Sequence, residues 1–158
     1  MTQAPREREG RNTGLDHVAR LLNLLALRHV TPAPDDVVAV LYGAATPAAL
    51  AAGAHQARFG GPNPNAELLR LLRERGVAVE VCGQALAEHG FRPGDAAPEV
   101  TVALSAQIAL ANRQLRGWAV LAACKGETTW PWCSGASTRK VFRSSPIWSA
   151  MTAPASRR

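Results

Sequence analysis

Little in this sequence could anchor it in a membrane, staple it with disulfides or hold a structural metal. Its 158 residues, 47% hydrophobic and 19% charged, contain no apolar run near the ~18–20 residues that a membrane helix requires. Arg20, Asn23 and Arg28 interrupt the longest leucine-rich stretch. The opening MTQAPREREGRNTG has no apolar segment of the kind that forms a secretory signal, so the chain is expected to be soluble and cytoplasmic. Cysteine is scarce and odd in number, three in all, which argues against a disulfide framework and for reduced thiols. Cys124 and Cys133 have no CxxC pair and no nearby histidine, so no zinc spacing is present. Gly60-Gly61-Pro62 lacks both the full GxGxxG pattern and the Lys-Ser/Thr of a phosphate loop, which leaves nucleotide binding without support.

Lysine is absent before Lys125, and the charge is distributed unevenly. Residues 1 to 123 carry twelve arginines against eleven carboxylates, whereas residues 124 to 158 carry six cations against the single Glu127. Nearly all of the formal +6 therefore lies in the tail, and no general nucleic-acid surface follows from it. Trp130, Trp132 and Trp148, three of the four tryptophans, also fall there. This composition shift marks a boundary, and the length allows one compact domain before it.

Within that domain the patterns alternate. Leu15 to His29 reads as an amphipathic helix on Leu15, Val18, Leu22 and Leu25, opened by Thr13 with Asp16 three residues on. Val37 to Tyr42 is a continuous β-branched run stopped by Gly43, the signature of a buried parallel strand. Thr46-Pro47 and Asn63-Pro64 each read as a helix cap followed by proline at the first helical position. The second of these helices ends at Gly76, after which Val77 to Cys82 is predicted as a strand and Gln84 to His89 as a short helix. Glu99 to Leu104 is the third predicted strand, Ser105 caps a helix running to about Gly117, and Trp118 to Ala122 is the fourth. Strands alternating with helices predict an α/β fold, a small three-layer domain with a mostly parallel sheet of four to five strands.

The chemistry-bearing residues gather at one end of that sheet. Cys82 ends a predicted parallel strand, with Gly83 and a helical segment immediately after it. Ligands in open α/β sheets bind beyond the carboxyl ends of the strands, and helix N–H groups there favour a thiolate. The competing role is a small apolar residue filling a strand end. Tyr42, Gly43 and Thr46 follow the first predicted strand and face the same crevice; a plain strand-to-helix turn would need them equally. His17 and His89 are candidate bases for the thiol, or ordinary surface and packing residues.

GLDHVARLLNLLAL, AVLYGAAT, NPNAELLRLLRERGVAVEVCGQALAEHG and PEVTVALSAQIALANRQLRGWAVL, in this order between Gly14 and Leu121, resemble the DsrE/DsrF-like family. The resemblance implies a sulfur-relay type domain, a homo-oligomer with no metal or organic cofactor, in which a cysteine after a strand carries sulfane sulfur as a persulfide. Cys82 is the matching position, and its partners would be a sulfur donor or acceptor protein. Gly83 and the backbone beyond it would stabilise the anion. Gln84 and Ser105 would hydrogen-bond the persulfide or a ligand, or would instead serve as caps and buried polar groups. A non-catalytic assembly or small-ligand-binding module of the same fold is the alternative. A basic nucleic-acid-binding protein is the third reading, and the least favoured.

Three departures from the family pattern stand out. Relatives begin with a hydrophobic strand, whereas residues 1 to 14 are polar; either one interior strand is missing, leaving unpaired edges, or the start is incomplete. Tyr42-Gly43 stands where relatives often have His-Gly, which removes a proton carrier. The domain is expected to span residues 15 to 123, with a disordered basic tail over 124 to 158, explicable by a shifted reading frame or as a basic arm carrying Arg139, Lys140 and Arg143.

Overall fold

The computed structural model describes residues 10–122 and 138–143. The elements are α1 (Thr13–Leu27), β1 (Val37–Leu41), a 3-10 helix (Gly43–Ala49), α2 (Ala52–Phe59), α3 (Ala66–Glu74), β2 (Val77–Cys82), α4 (Gly83–Glu88), β3 (Val100–Ala103), α5 (Ala106–Leu115), β4 (Trp118–Ala122) and β5 (Thr138–Arg143). One five-stranded sheet runs in the order β3-β2-β1-β5-β4. β1, β2 and β3 are parallel, with Val37 opposite Val77 and Cys82 opposite Ala103, while β5 is antiparallel to both β1 and β4. The α/β class and the flanked, largely parallel sheet are those the alternating pattern predicts.

Every residue of β1 is buried because helices cover both faces of the sheet. Val37, Ala39 and Leu41, with Val77, Val79 and Val81, pack under Leu15 and Val18 of α1 and Leu69 and Leu72 of α3. Val38 and Val40 point the other way, into a smaller cluster with Cys82, Ala85 and Ala106, against which Leu110 of α5 packs. Two helices and the 3-10 segment thus thicken one face, and α5 covers the other.

A chain of asparagines ties the thick face together. Asn63 donates from Nδ2 to the carbonyls of Ala48 (3.0 Å) and Leu50 (2.7 Å), and its Oδ1 accepts from the Asn65 backbone at 2.9 Å. Asn65 Oδ1 accepts from the Asn12 backbone at 2.7 Å, and Asn12 Oδ1 from Leu15 at 3.1 Å. Asn12 rather than Thr13 therefore caps α1, and Asn63 pins the 3-10 segment instead of opening α3, whose N-cap is Asn65. Asn63→Leu strips three buried backbone groups of their partners at once. At ~1–3 kcal/mol for an unsatisfied buried group, the variant is expected to lose at least about 3 kcal/mol in a chemical denaturation series.

Two further expectations change. Thr46 does not cap a helix: Gly43–Ala49 is a 3-10 turn that ends at Leu50, and Thr46 lies fully buried inside it, its hydroxyl without a hydrogen-bond partner. In the tail, where the sequence offers no period, Thr138–Arg143 forms a strand between β1 and β4. The interior place expected to be vacant is filled from the far end of the chain, because two facing strand edges each present unpaired N–H and C=O groups that one antiparallel strand satisfies together. The rest of the tail, with Cys124, Cys133, Trp130, Trp132 and Trp148, lies outside the described residues.

Candidate functional site at the end of strand β2

Cys82 is the last residue of β2 and a free thiol, 6% exposed. Strand alternation turns it toward the α5 face, among Val38, Val40, Ala85 and Ala106. Its Sγ accepts a hydrogen bond from the backbone N–H of Ala106 at 3.3 Å. Ala106 is the first residue of α5, a ten-residue helix with no acidic side chain in its first turn. The sequence points to α4, the helix that directly follows the thiol, as the source of favourable N–H groups. Cys82 occupies the N-cap position of α4, but its side chain makes no bond there and reaches the amino end of α5 instead. The unpaired N–H groups and partial positive charge of that end suit a thiolate or a persulfide anion.

Gly83 suits this close approach. A Cβ on it would stand 3.1 Å from the Ala103 carbonyl oxygen and 3.6 Å from that of Leu104, so a larger residue would press the start of α4 against the exit of β3 and force a small shift. That approach carries the β3–α5 junction, and with it the Ala106 amide, up to the sulfur. Ser105 sits one residue earlier, 5% exposed in extended conformation, yet its side chain makes no capping hydrogen bond. The capping role expected of it is therefore not filled, and the α5 start is free to serve Cys82.

The other candidate residues divide. Tyr42, half-buried after β1, packs against the cluster that contains Cys82. Gly43 lies beside it, its carbonyl oxygen 3.1 Å from His89 Nε2. That contact turns Nε2 of His89, one of the two candidate bases, to the Gly43 carbonyl. His17 belongs to α1, across the sheet from the thiol. Gln84 is exposed on the first turn of α4. The structure thus brings Tyr42, Gly43, Gly83 and Ser105 to the strand ends around Cys82, and gives the thiol a backbone amide rather than a histidine.

The surface beside this buried thiol is mixed: Gln84 and Gln107 are exposed there, and so are two large apolar side chains. Leu104 and Ile108 are 79% and 52% exposed, and Leu115 continues their stripe along α5 at 86%. Among the described residues no helix is long and apolar enough to cross a membrane. The feature that sequence reasoning missed is the Ala106 amide, which any residue type except proline could supply, so no side-chain signal marks it.

In comparison with known proteins, the family model described as the DsrE/DsrF-like family matches residues 2–123. No curated protein and no solved structure matches the chain.

Proposed function

The chain belongs to the DsrE/DsrF-like family, and on that basis we propose that it relays sulfane sulfur on Cys82. The observation that carries this reading is the Ala106 N–H held 3.3 Å from Cys82 Sγ at the carboxyl ends of the parallel strands. The Cys82 thiolate attacks the outer sulfur of a donor persulfide, forming the Cys82 S–S bond as the donor's S–S bond breaks and the donor leaves as a thiolate. An acceptor thiolate then attacks the outer sulfur of Cys82 and restores the original thiolate, so that sulfur moves with no net change of oxidation state. During both steps the Ala106 amide holds negative charge near Sγ. Exposed Leu104 and Ile108 give a donor or acceptor protein an apolar surface beside the thiol. A reducing compartment such as the cytoplasm would keep the carrier's thiol free.

Loading with glutathione persulfide, removal of excess and cold cyanide treatment should release thiocyanate in proportion to protein, and Cys82→Ser should release almost none. Equal release from the variant would assign the sulfur to Cys124 or Cys133 and end this reading.

A second reading has its own observation. At 6% exposure Cys82 is as enclosed as its apolar neighbours, which suits a packing role in an assembly or binding module of the same fold. Alkylation separates the two: a carrier thiol reacts with iodoacetamide in the folded protein, whereas a packing thiol reacts only on unfolding. Assembly into a homo-oligomer is part of both readings.

A further inference from the structure

A concavity lies at the opposite end of the strands from Cys82. It encloses about 480 Å3, within the ~300–1,000 Å3 of small-molecule sites. Its floor is Val38 and Ala78, the second residues of β1 and β2 and partners in register, with Ala109 of α5 above them. One wall is built from Glu80, Arg113 and Trp118. Arg113 Nη1 donates to Glu80 Oε2 at 3.0 Å and to the Ala109 carbonyl at 3.3 Å, and Nη2 bonds the other carboxylate oxygen. The two side chains are only 21% and 14% exposed, and the guanidinium lies 5.8 Å from the centre of the Trp118 ring. A two-pronged pair held this far from water, with its cation against an aromatic ring, fixes the wall in one arrangement.

The remaining charges decide what the cavity would accept. Glu80 is neutralised by Arg113, and Arg73 reaches Asp35 at 3.4 Å. Arg116, exposed on the rim, has no carboxylate partner among the described residues. Among the described lining residues, three arginines against two carboxylates leave one positive charge, over an apolar floor and beside a half-buried indole. A cation meets net repulsion there, and a dianion finds one uncommitted guanidinium. We propose that this cavity is a second binding site, separate from the thiol, for a small organic monoanion with a flat apolar body: its carboxylate pairs with Arg116, and its ring lies against Trp118 over Val38 and Ala78.

The test uses the full chain and three probes of one shape, benzoate, benzylammonium and benzyl alcohol, titrated by NMR while the Trp118 indole signal is followed. Benzoate is expected to bind saturably and shift that signal, at least about tenfold more tightly than the other two, as fits one charge-assisted pair. Arg116→Gln, at an exposed position, is expected to weaken benzoate by a similar factor with the melting temperature unchanged. Cys82→Ser should leave benzoate binding intact, which keeps this site independent of sulfur transfer. Absence of saturable benzoate binding, equal binding of benzylammonium, or an Arg116→Gln variant that binds benzoate like the parent would each overturn the proposal.

Discussion

A chain cut after Ala123 is expected to lose its cooperative fold. The cut removes β5, which pairs with the whole of β1 from Val37 to Leu41 on one side and with the whole of β4 from Trp118 to Ala122 on the other. Without it, β1 becomes an edge although its five residues are almost completely buried, and β4 loses its strand partner. Each backbone hydrogen bond contributes ~0.5–1.5 kcal/mol net, so loss of both ladders costs on the order of 5 kcal/mol, comparable with the whole stability of a small domain, ~5–15 kcal/mol. The exposed edges also invite association. Thermal unfolding followed by circular dichroism should show no sharp transition for residues 1–123, and the sample should aggregate. Val141→Pro in the full chain should act in the same direction, because proline in the middle of a central strand removes a ladder donor. Unchanged melting of either variant would mean that the sheet is complete without β5.

Ala106→Pro is expected to abolish most sulfur loading while leaving the fold standing. Proline is accepted at the first position of a helix, where its missing N–H has no intrahelical partner. The preceding Ser105, at φ −150° and ψ 135°, already has the extended conformation that a residue before proline needs. The substitution deletes the donor that reaches Cys82 Sγ and sets the ring Cδ in the direction of that bond, so the thiol must turn to another rotamer. A hydrogen bond to a charged group is worth ~1.5–3 kcal/mol, so the rate of persulfide formation should fall about 10- to 100-fold. Ala106→Gly, which keeps the N–H, serves as the control for any change in packing at this buried position. Equal loading rates in the proline and glycine variants, with matched melting curves, would remove the amide from the account.

What the sequence reveals of this molecule is what local pattern determines. Val77–Cys82 and Trp118–Ala122 occur with the limits that their β-branched and apolar runs predict, and Cys82 ends its strand as expected. The misread features are those in which one local signature serves two structures. Thr46-Pro47 and Asn63-Pro64 both look like helix starts, but a buried 3-10 turn and a side-chain clamp on Ala48 and Leu50 use the same residues. Only the tertiary neighbours distinguish them. β5 is harder still: six residues with three cations among them become a strand because β1 and β4 leave a place to fill, and that place exists only once the sheet has formed. The hydrogen bond to Cys82 is also non-local. It joins the sulfur to an amide twenty-four residues away, beside the close approach at Gly83.

The central claim, that Cys82 carries sulfane sulfur, is tested most directly by the intact mass of the purified protein before and after treatment with glutathione persulfide. The account predicts a gain of one sulfur atom, reversed by dithiothreitol, retained when Cys124 and Cys133 are both replaced by serine, and lost in Cys82→Ser. A mass that does not change in the folded wild-type chain, or a gain that persists in Cys82→Ser, would contradict it and leave Cys82 as a packed strand end.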